Sequence, residues 1–362
     1  MKRLSLLLLV AVPLCGQLER YVAIDNVCAW PNLTLLPGGQ ILAHIHNRPS
    51  HGLHEGDIET WASEDGGALW KLRGVPAPHG PGTTRIHAAA GLTHDGSLVV
   101  VTTGWGGEKL RGHILKPWVS RSSDGGRTWQ RSESVTLPPG TDQIIAFGNV
   151  VRMTGRQLAV PVYSGKRSPN PTATGSRDQW IRSNDSWLLF SQDDGHTWGN
   201  AALIGRGQYN ETAVLRLRAD RWLAAARTLD EPGALELFVS EDEGRHWKNT
   251  GPVTLPSHHP GHLLRLSDGR ILLTYGIRER WRYSSTPALP ESHQGVGIRI
   301  SRDEGKTWSS PARLVTLPET GDGGYPATVQ LADGALVTAY YSNGIPTHRR
   351  YHMGVVRWRL PE

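Results

Sequence analysis

Histidine recurs where chemistry would need it: His44, His46, His87, His258, His259 and His262 all fall near the ends of short apolar runs. Imidazole can act as a general acid or base near neutral pH, or ligate a metal. His44 and His46 are two residues apart, and on a strand that spacing puts both side chains on one face. No His, Cys or Asp spacing in the chain matches a metal-binding motif, so no metal or other cofactor is expected. Packed or solvated histidines would give the same pattern, and both readings stay open here. Trp105 follows the apolar run 99–103. Its ring suits either a sugar-stacking platform or packing between elements. Arginine dominates lysine within a formal net charge of +6, from 39 Lys+Arg against 33 Asp+Glu. Guanidinium suits bidentate binding of a carboxylate, so the charge describes either a solvated basic surface or a pocket for an anion. No basic run is dense enough for a nucleic-acid-binding arm.

The elements that would position these groups are repeated. Five segments share the pattern S-x-D-x-G-x-x-W: Ser63 to Trp70, Ser122 to Trp129, Ser191 to Trp198, Ser240 to Trp247 and Ser301 to Trp308. In each, the Asp can accept backbone N–H groups across a tight turn, Gly permits the turn, and Trp folds over it. A second pattern occurs six times, an apolar strand, a polar or Gly turn and another apolar strand, at 33–42, 90–99, 150–160, 214–224, 263–273 and 329–337. These read as β-hairpins. A third strand separates each of the first five hairpins from its Trp turn. The unit is therefore strand, strand, strand, Trp turn, strand, a four-stranded antiparallel blade. Six units leave about 57 residues each, within the range of propeller blades. The sixth lacks a Trp turn and so lacks an outer strand. Residues 20–26 are the natural candidate to supply it and close the ring. An all-β, six-bladed propeller in one domain spanning 17–362 is the expected architecture, with 166–178 as an insertion in the third blade.

Composition agrees. Among 362 residues, 42 Gly and 24 Pro argue for many turns and against long helices, and 14 Trp stand against only 3 Phe. The hydrophobic share of 38% excludes a multi-span membrane protein. Met1-Lys2-Arg3 and an apolar run to Leu14 read as a signal peptide over 1–16, which implies a secreted or periplasmic protein. Lipidation at Cys15 is the less favoured alternative. Cleavage would leave Cys28 alone, with no intrachain disulfide.

The five boxes resemble the Asp boxes of the sialidase superfamily, whose members are six-bladed β-propellers. In that family the boxes lie on the outer rim, away from the chemistry, so they speak for the fold and not for the activity. The resemblance implies a site made of a three-Arg carboxylate clamp, a Tyr nucleophile paired with a Glu, and an Asp acid/base. A neutral Tyr suits a substrate whose anomeric carbon already bears a carboxylate, which would repel a carboxylate nucleophile. Carried onto this chain, the resemblance implies Glu211 at the start of an inner strand and Arg227 at the end of the next, ends that antiparallel pairing brings to one edge. It implies Arg278 as the third Arg, with Arg280 and Arg282 close enough to leave register open. The stretch Asp322-Gly323-Gly324-Tyr325 is similar to that carrying the nucleophile, which implies Tyr325. The first blade departs from the pattern, because Ala29 stands where the first clamp Arg belongs. Arg48 matches the family's next Arg. The acid/base then falls on His54, Glu55 or Asp57, according to where gaps are placed. His46, His87 and Trp105 complete the set of substrate-binding candidates.

Three functions follow as alternatives. The first is a secreted, monomeric exo-glycosidase that removes a terminal acidic sugar from a glycan. The second is a lyase or hydrolase acting on another uronic-acid sugar with a His acid/base. The third is a glycan-binding propeller without catalysis.

Overall fold

Strands whose two faces are both covered read as continuous apolar runs rather than alternating ones, and this chain is built from them. All six residues of Ile41–His46 and all seven of Leu336–Ser342 are buried. The computed structural model describes residues 18–110, 112–165, 184–230, 232–279, 294–318 and 321–360. The expected signal peptide 1–16 with Cys15, the insertion at 166–178, and Arg280 and Arg282 lie outside the described residues.

The strands form six antiparallel sheets whose innermost strands meet in a closed ring, a six-bladed β-propeller. The first blade runs outward from the axis as Asn32–Leu35, Ile41–His46, Ile58–Ser63 and Lys71–Ala77. The fourth follows the same order in Tyr209–Arg218, Arg221–Thr228, Leu235–Ser240 and Lys248–Pro252, and the fifth in His258–Arg265, Ile271–Arg278, Gln294–Ser301 and Ala312–Leu317. The second is built on the hairpin Thr83–Leu92 and Leu98–Gly106. In the sixth, Gly323–Gln330, Leu336–Ser342 and His352–Trp358 are completed by Glu19–Asp25 from the other end of the chain, antiparallel to the last strand. The sequence-based expectation for residues 20–26 is thus met.

The third blade differs from its expected hairpin. Its innermost strand is broken into Ile145–Ala146 and Val151–Arg152, and between them Gly148–Asn149 pairs parallel with the second blade at Ala89 and Ala90. Gly148 makes the detour at φ +86°, where a side chain would be strained.

The Trp turns work as expected. In the first, the Asp65 carboxylate accepts from Ser63 Oγ at 2.8 Å and from the backbone N–H groups of Ala68 and Leu69 at 3.0 Å, while the Trp70 indole donates to the Gly67 carbonyl at 2.9 Å. Each of these turns packs on the preceding blade: Gly67 lies against Val337, Gly195 against Thr93, Gly244 against Leu188, and Gly305 against Leu223. The core is a set of apolar layers between neighbouring blades, for example Ala89, Val101, Leu158 and Val160 between the second and third. Cys28 is buried and free. Among the described residues no helix is long and apolar enough to cross a membrane.

Candidate active site

Inner strands begin, and second strands end, at the same edge of each blade, so one mouth of the propeller collects residues from all of them. Here the ladders skip. The register shifts between Arg85 and His87, Tyr209 and Thr212, His258 and Gly261, and Gly324 and Ala327. Such bulges take residues out of the ladder and re-aim their side chains. Tyr325 sits in one of them at φ +53° and Glu211 in another.

These two side chains meet across the axis. The Tyr325 hydroxyl donates to Glu211 Oε1 at 2.6 Å, and Arg227 Nη1 donates to Glu211 Oε2 at 2.9 Å. The Glu211 side chain is only 9% exposed. Burial pushes the Tyr325 phenol above its ordinary pKa, and the Glu211 charge pushes it further, against the opposing pull of Arg227 and Arg278. Tyr325 is therefore a neutral hydroxyl aimed at a carboxylate that can receive its proton. Arg227 stays charged: burial disfavours its cation, but the Glu211 charge beside it prevails.

Arg278 lies on the other flank of Tyr325, its guanidinium carbon 5.5 Å from the ring centre. It donates to the Gly323 carbonyl at 3.0 Å and the Tyr341 hydroxyl at 3.3 Å, and faces Asp322 at 3.4 Å. Asp322 also accepts from Tyr341 at 3.0 Å and Tyr351 at 3.1 Å, and it meets His51 Nε2 at 2.5 Å. Burial alone would raise its carboxyl pKa, but the His51 hydrogen bond and the Arg278 charge hold it well below the carboxylate range.

Trp30 takes up the space beside Tyr325. It stacks on Tyr325 with centroids 5.4 Å apart, on His87 also at 5.4 Å, and meets His51 edge-on at 5.0 Å. Ala29, where the first clamp Arg was sought, is fully buried. Trp105 meets His87 edge-on at 5.0 Å. Below this layer an axial cavity is lined by Trp30, His87, Phe147, Glu211, His262 and Tyr325.

Glu211, Arg227, Arg278 and Tyr325 are thus gathered at one mouth of the axis, with His87 and Trp105 beside them. Of the other sequence-based candidates, His259 adjoins Arg227 and Arg278 and His262 lines the cavity. Arg48 is exposed, with Nε on the Glu55 carbonyl at 2.7 Å. His54 is exposed and pairs with Ser50 Oγ at 2.9 Å, while Glu55 is exposed and accepts from Gly82 N. Asp57 accepts from the backbone and ring N–H of His79 at 2.7 and 2.6 Å. His46 is buried against the Arg85 carbonyl, and burial lowers its pKa to about 4. His44 faces Thr60 between blades and is lowered to about 3 by burial. His262 pairs with Asn149 and is lowered to about 4 by burial. His258 pairs with Glu279 at 2.8 Å. His259 is held neutral, first by burial and then by the charges of Arg227 and Arg278. Among the described residues no group of three or more His, Cys, Asp or Glu could hold a metal. Sequence reasoning missed Trp30, His51, Asp322, Tyr341 and Tyr351. Asp322 and Trp30 adjoin positions that the resemblance singles out, Tyr325 and Ala29, but nothing in the sequence assigns them or the other three a part, because their grouping is tertiary.

The family model described as "BNR repeat-like domain" matches residues 54–338. The chain belongs to this BNR-repeat family of sialidase-superfamily propellers. This BNR-repeat protein is 26% identical over 354 residues to a sialidase of Micromonospora viridifaciens, a match covering 89% of this chain and 52% of that protein. The chain therefore spans about half the length of the curated relative it matches. Among solved structures, a Dyadobacter fermentans protein of unknown function superimposes with a TM-score of 0.76 at 22% identity, over 97% of this chain and all of the other. Trypanosoma rangeli sialidase in complex with 2,3-difluorosialic acid, described as a covalent intermediate, superimposes with a TM-score of 0.66 at 13% identity, over 95% of this chain and 59% of the other. The structural likeness speaks for the propeller.

Proposed function

We propose that the protein is a retaining exo-glycosidase that releases a terminal acidic sugar from a glycan. The observation that carries this reading is the 2.6 Å hydrogen bond from Tyr325 to Glu211, with Arg227 on the other carboxylate oxygen. A phenol is a poor nucleophile until a base takes its proton as it attacks. Glu211 is placed to do so, and Arg227 stabilises the ionised carboxylate that must act. Tyr325 Oη would bond to the anomeric carbon as the glycosidic C–O bond breaks. Water would later displace Tyr325, with Glu211 returning the proton. Arg227 and Arg278 flank the Tyr325 ring and would share the sugar carboxylate.

A specific observation favours a second substrate in the same class of chemistry. With Ala29 in place of the first clamp Arg and Trp30 stacked on Tyr325, one arm of the clamp is absent. A charged hydrogen bond contributes roughly 1.5–3 kcal/mol, so a different acidic sugar, such as a uronic acid, is the runner-up. The test is a panel of aryl sialosides and uronides, followed by intact-mass analysis after incubation with 2-fluoro or 2,3-difluoro analogues of whichever sugar turns over. Mass addition to the wild type, mapped to Tyr325 and absent from Tyr325→Phe, is expected. Turnover unaffected by Tyr325→Phe would overturn the reading.

A further inference from the structure

The acid/base candidates His54, Glu55 and Asp57 make their hydrogen bonds to residues outside the Tyr325 cluster. His54 is turned to Ser50, Asp57 to His79, and Arg48 to its own loop. The same loop nevertheless sends one side chain to the Tyr325 cluster. It leaves the second strand of the first blade after His46, and His51 lies at its tip with a side chain 30% exposed. The loop is seated closely. Gly52, at φ +69°, passes so near the Trp105 ring that a Cβ there would lie 2.5 Å from it. Ser50 caps the turn by accepting from Leu53 N at 3.2 Å. His51 is thereby set edge-on against Trp30, which also stacks on the Tyr325 ring, and 5.6 Å from Tyr341, itself 5.8 Å from Tyr325. A single aromatic ring separates His51 from the nucleophile candidate.

We infer that His51, oriented by Asp322, is the general acid/base of this site. The inference rests on the proposed Tyr325–Glu211 chemistry and adds the residue that protonates the leaving group. Asp322 cannot fill that role, since it accepts from Tyr341 and Tyr351 and faces Arg278 and His51, a set of donors that keeps it ionised. Its carboxylate at 2.5 Å from Nε2 fixes the imidazole ring, a part a carboxylate plays in other His-based acid/base pairs. The groups that face His51 are Asp322, Tyr341 and Tyr351 from the sixth blade, Arg278 behind Asp322 from the fifth, and His46 from its own blade. Asp322 is a positioning residue and His51 the catalytic one.

In the first step His51 protonates the glycosidic oxygen as its bond to the anomeric carbon breaks, and the aglycone leaves as an alcohol. Tyr325 Oη bonds to that carbon, and its proton passes to Glu211. In the second step neutral His51 takes a proton from water, the resulting hydroxyl bonds to the anomeric carbon, the aryl glycosidic bond to Tyr325 Oη breaks, and Glu211 returns the proton to the phenolate. The net change is addition of one water across the glycosidic bond.

The experiment compares two leaving groups on the sugar selected by the panel, a 4-nitrophenyl glycoside and the corresponding disaccharide. An acid matters for the alkoxide of a sugar and little for nitrophenolate. His51→Asn is expected to lower disaccharide turnover by about 100-fold or more while costing the nitrophenyl glycoside about tenfold or less. Asp322→Asn should move the ratio between the two substrates in the same direction by a smaller factor. Nitrophenyl turnover and the thermal midpoint report whether each variant is folded. Equal losses on both substrates in a folded His51→Asn, or no loss on either, would overturn the assignment of His51. Tyr325→Phe separates the two readings. If it abolishes both activities, the Tyr325 reading stands whatever His51 does. If it changes neither, that reading fails together with the inference built on it.

Discussion

Glu211 has three demands on one carboxylate: it accepts from Tyr325, it pairs with Arg227, and its side chain is 9% exposed. Glu211→Gln keeps the shape, removes the charge and removes the proton acceptor. The expected outcome is a fall in kcat of about 100-fold to 10,000-fold, the range of a lost general base. Steady-state kinetics on the panel substrate check it, and a KM effect without a kcat effect would assign Glu211 to binding alone. At this scale the sequence was informative only where resemblance supplied a template. Glu211, Arg227, Arg278 and Tyr325 stand at the ends of inner hairpins that the repeat brings to one mouth, so their gathering could be anticipated, though not the bulges that aim Glu211 and Tyr325. His54, Asp57 and His51 stand in a loop of the first blade, where no repeat fixes direction and spacing does not tell which of several polar side chains turns inward. Trp30 was invisible for a related reason. Its position at φ +42° beside buried Ala29 is set by neighbours from three other segments, His51, His87 and Tyr325.

The Trp turns show how an element can be legible in full. Their residue types dictate their own hydrogen bonds, so five copies in sequence become five copies in space. The structure adds why one position in the motif is always Gly. Two successive residues adopt positive φ in every copy. The first is Gly66, Gly125, Asp194, Glu243 or Glu304, and the acidic residues use that geometry to reach the preceding blade, Asp194 to His94 N at 2.7 Å and Glu243 to Thr154 at 2.8 Å. The second is Gly in all five. At Gly244 a Cβ would stand 2.8 Å from Leu188 at φ +78°. Gly244→Ala therefore combines backbone strain with overpacking and should cost about 1–3 kcal/mol. Urea denaturation should show a lower midpoint, with kcat and KM retained because the turn lies on the rim. An unchanged midpoint would mean that the turn relaxes freely. The bulges at the inner strand ends were not legible. Nothing in Asn210-Glu211 or Tyr325-Pro326 announces a register shift, which arises from the crowding of six blades around one axis.

Ring closure is a property of the whole molecule. An open fan would leave the strand His352–Trp358 with an unpaired edge, and edges invite association. Glu19–Asp25 covers it, with Arg20 anchored on the Tyr340 hydroxyl at 2.7 Å. Closure was legible from counting, because six inner hairpins and only five Trp turns leave one outer strand to be found. The closed ring also seals histidines inside it. His44, His46 and His262 are held neutral by burial, at pKa values of about 3, 4 and 4. In the unfolded chain each returns to about 6.5. Below that value the unfolded state binds more protons than the folded one, so stability falls as pH falls, until the folded-state values are reached. The Asp carboxylates of the Trp turns act in the same direction, but only from about pH 5 downward, since their unfolded value is about 3.9. The window from about pH 6.5 to 5 therefore reports mainly the histidines, at about 2 kcal/mol each over that interval. Three such groups amount to a large fraction of a typical domain's total stability of about 5–15 kcal/mol. The expected result is a thermal midpoint that drops steeply between pH 6.5 and 5, well before the carboxylates titrate. His44→Gln should flatten the slope by about one proton's share. A midpoint that stays level across this window in the wild type would mean that the inner strands open far enough to hydrate these rings.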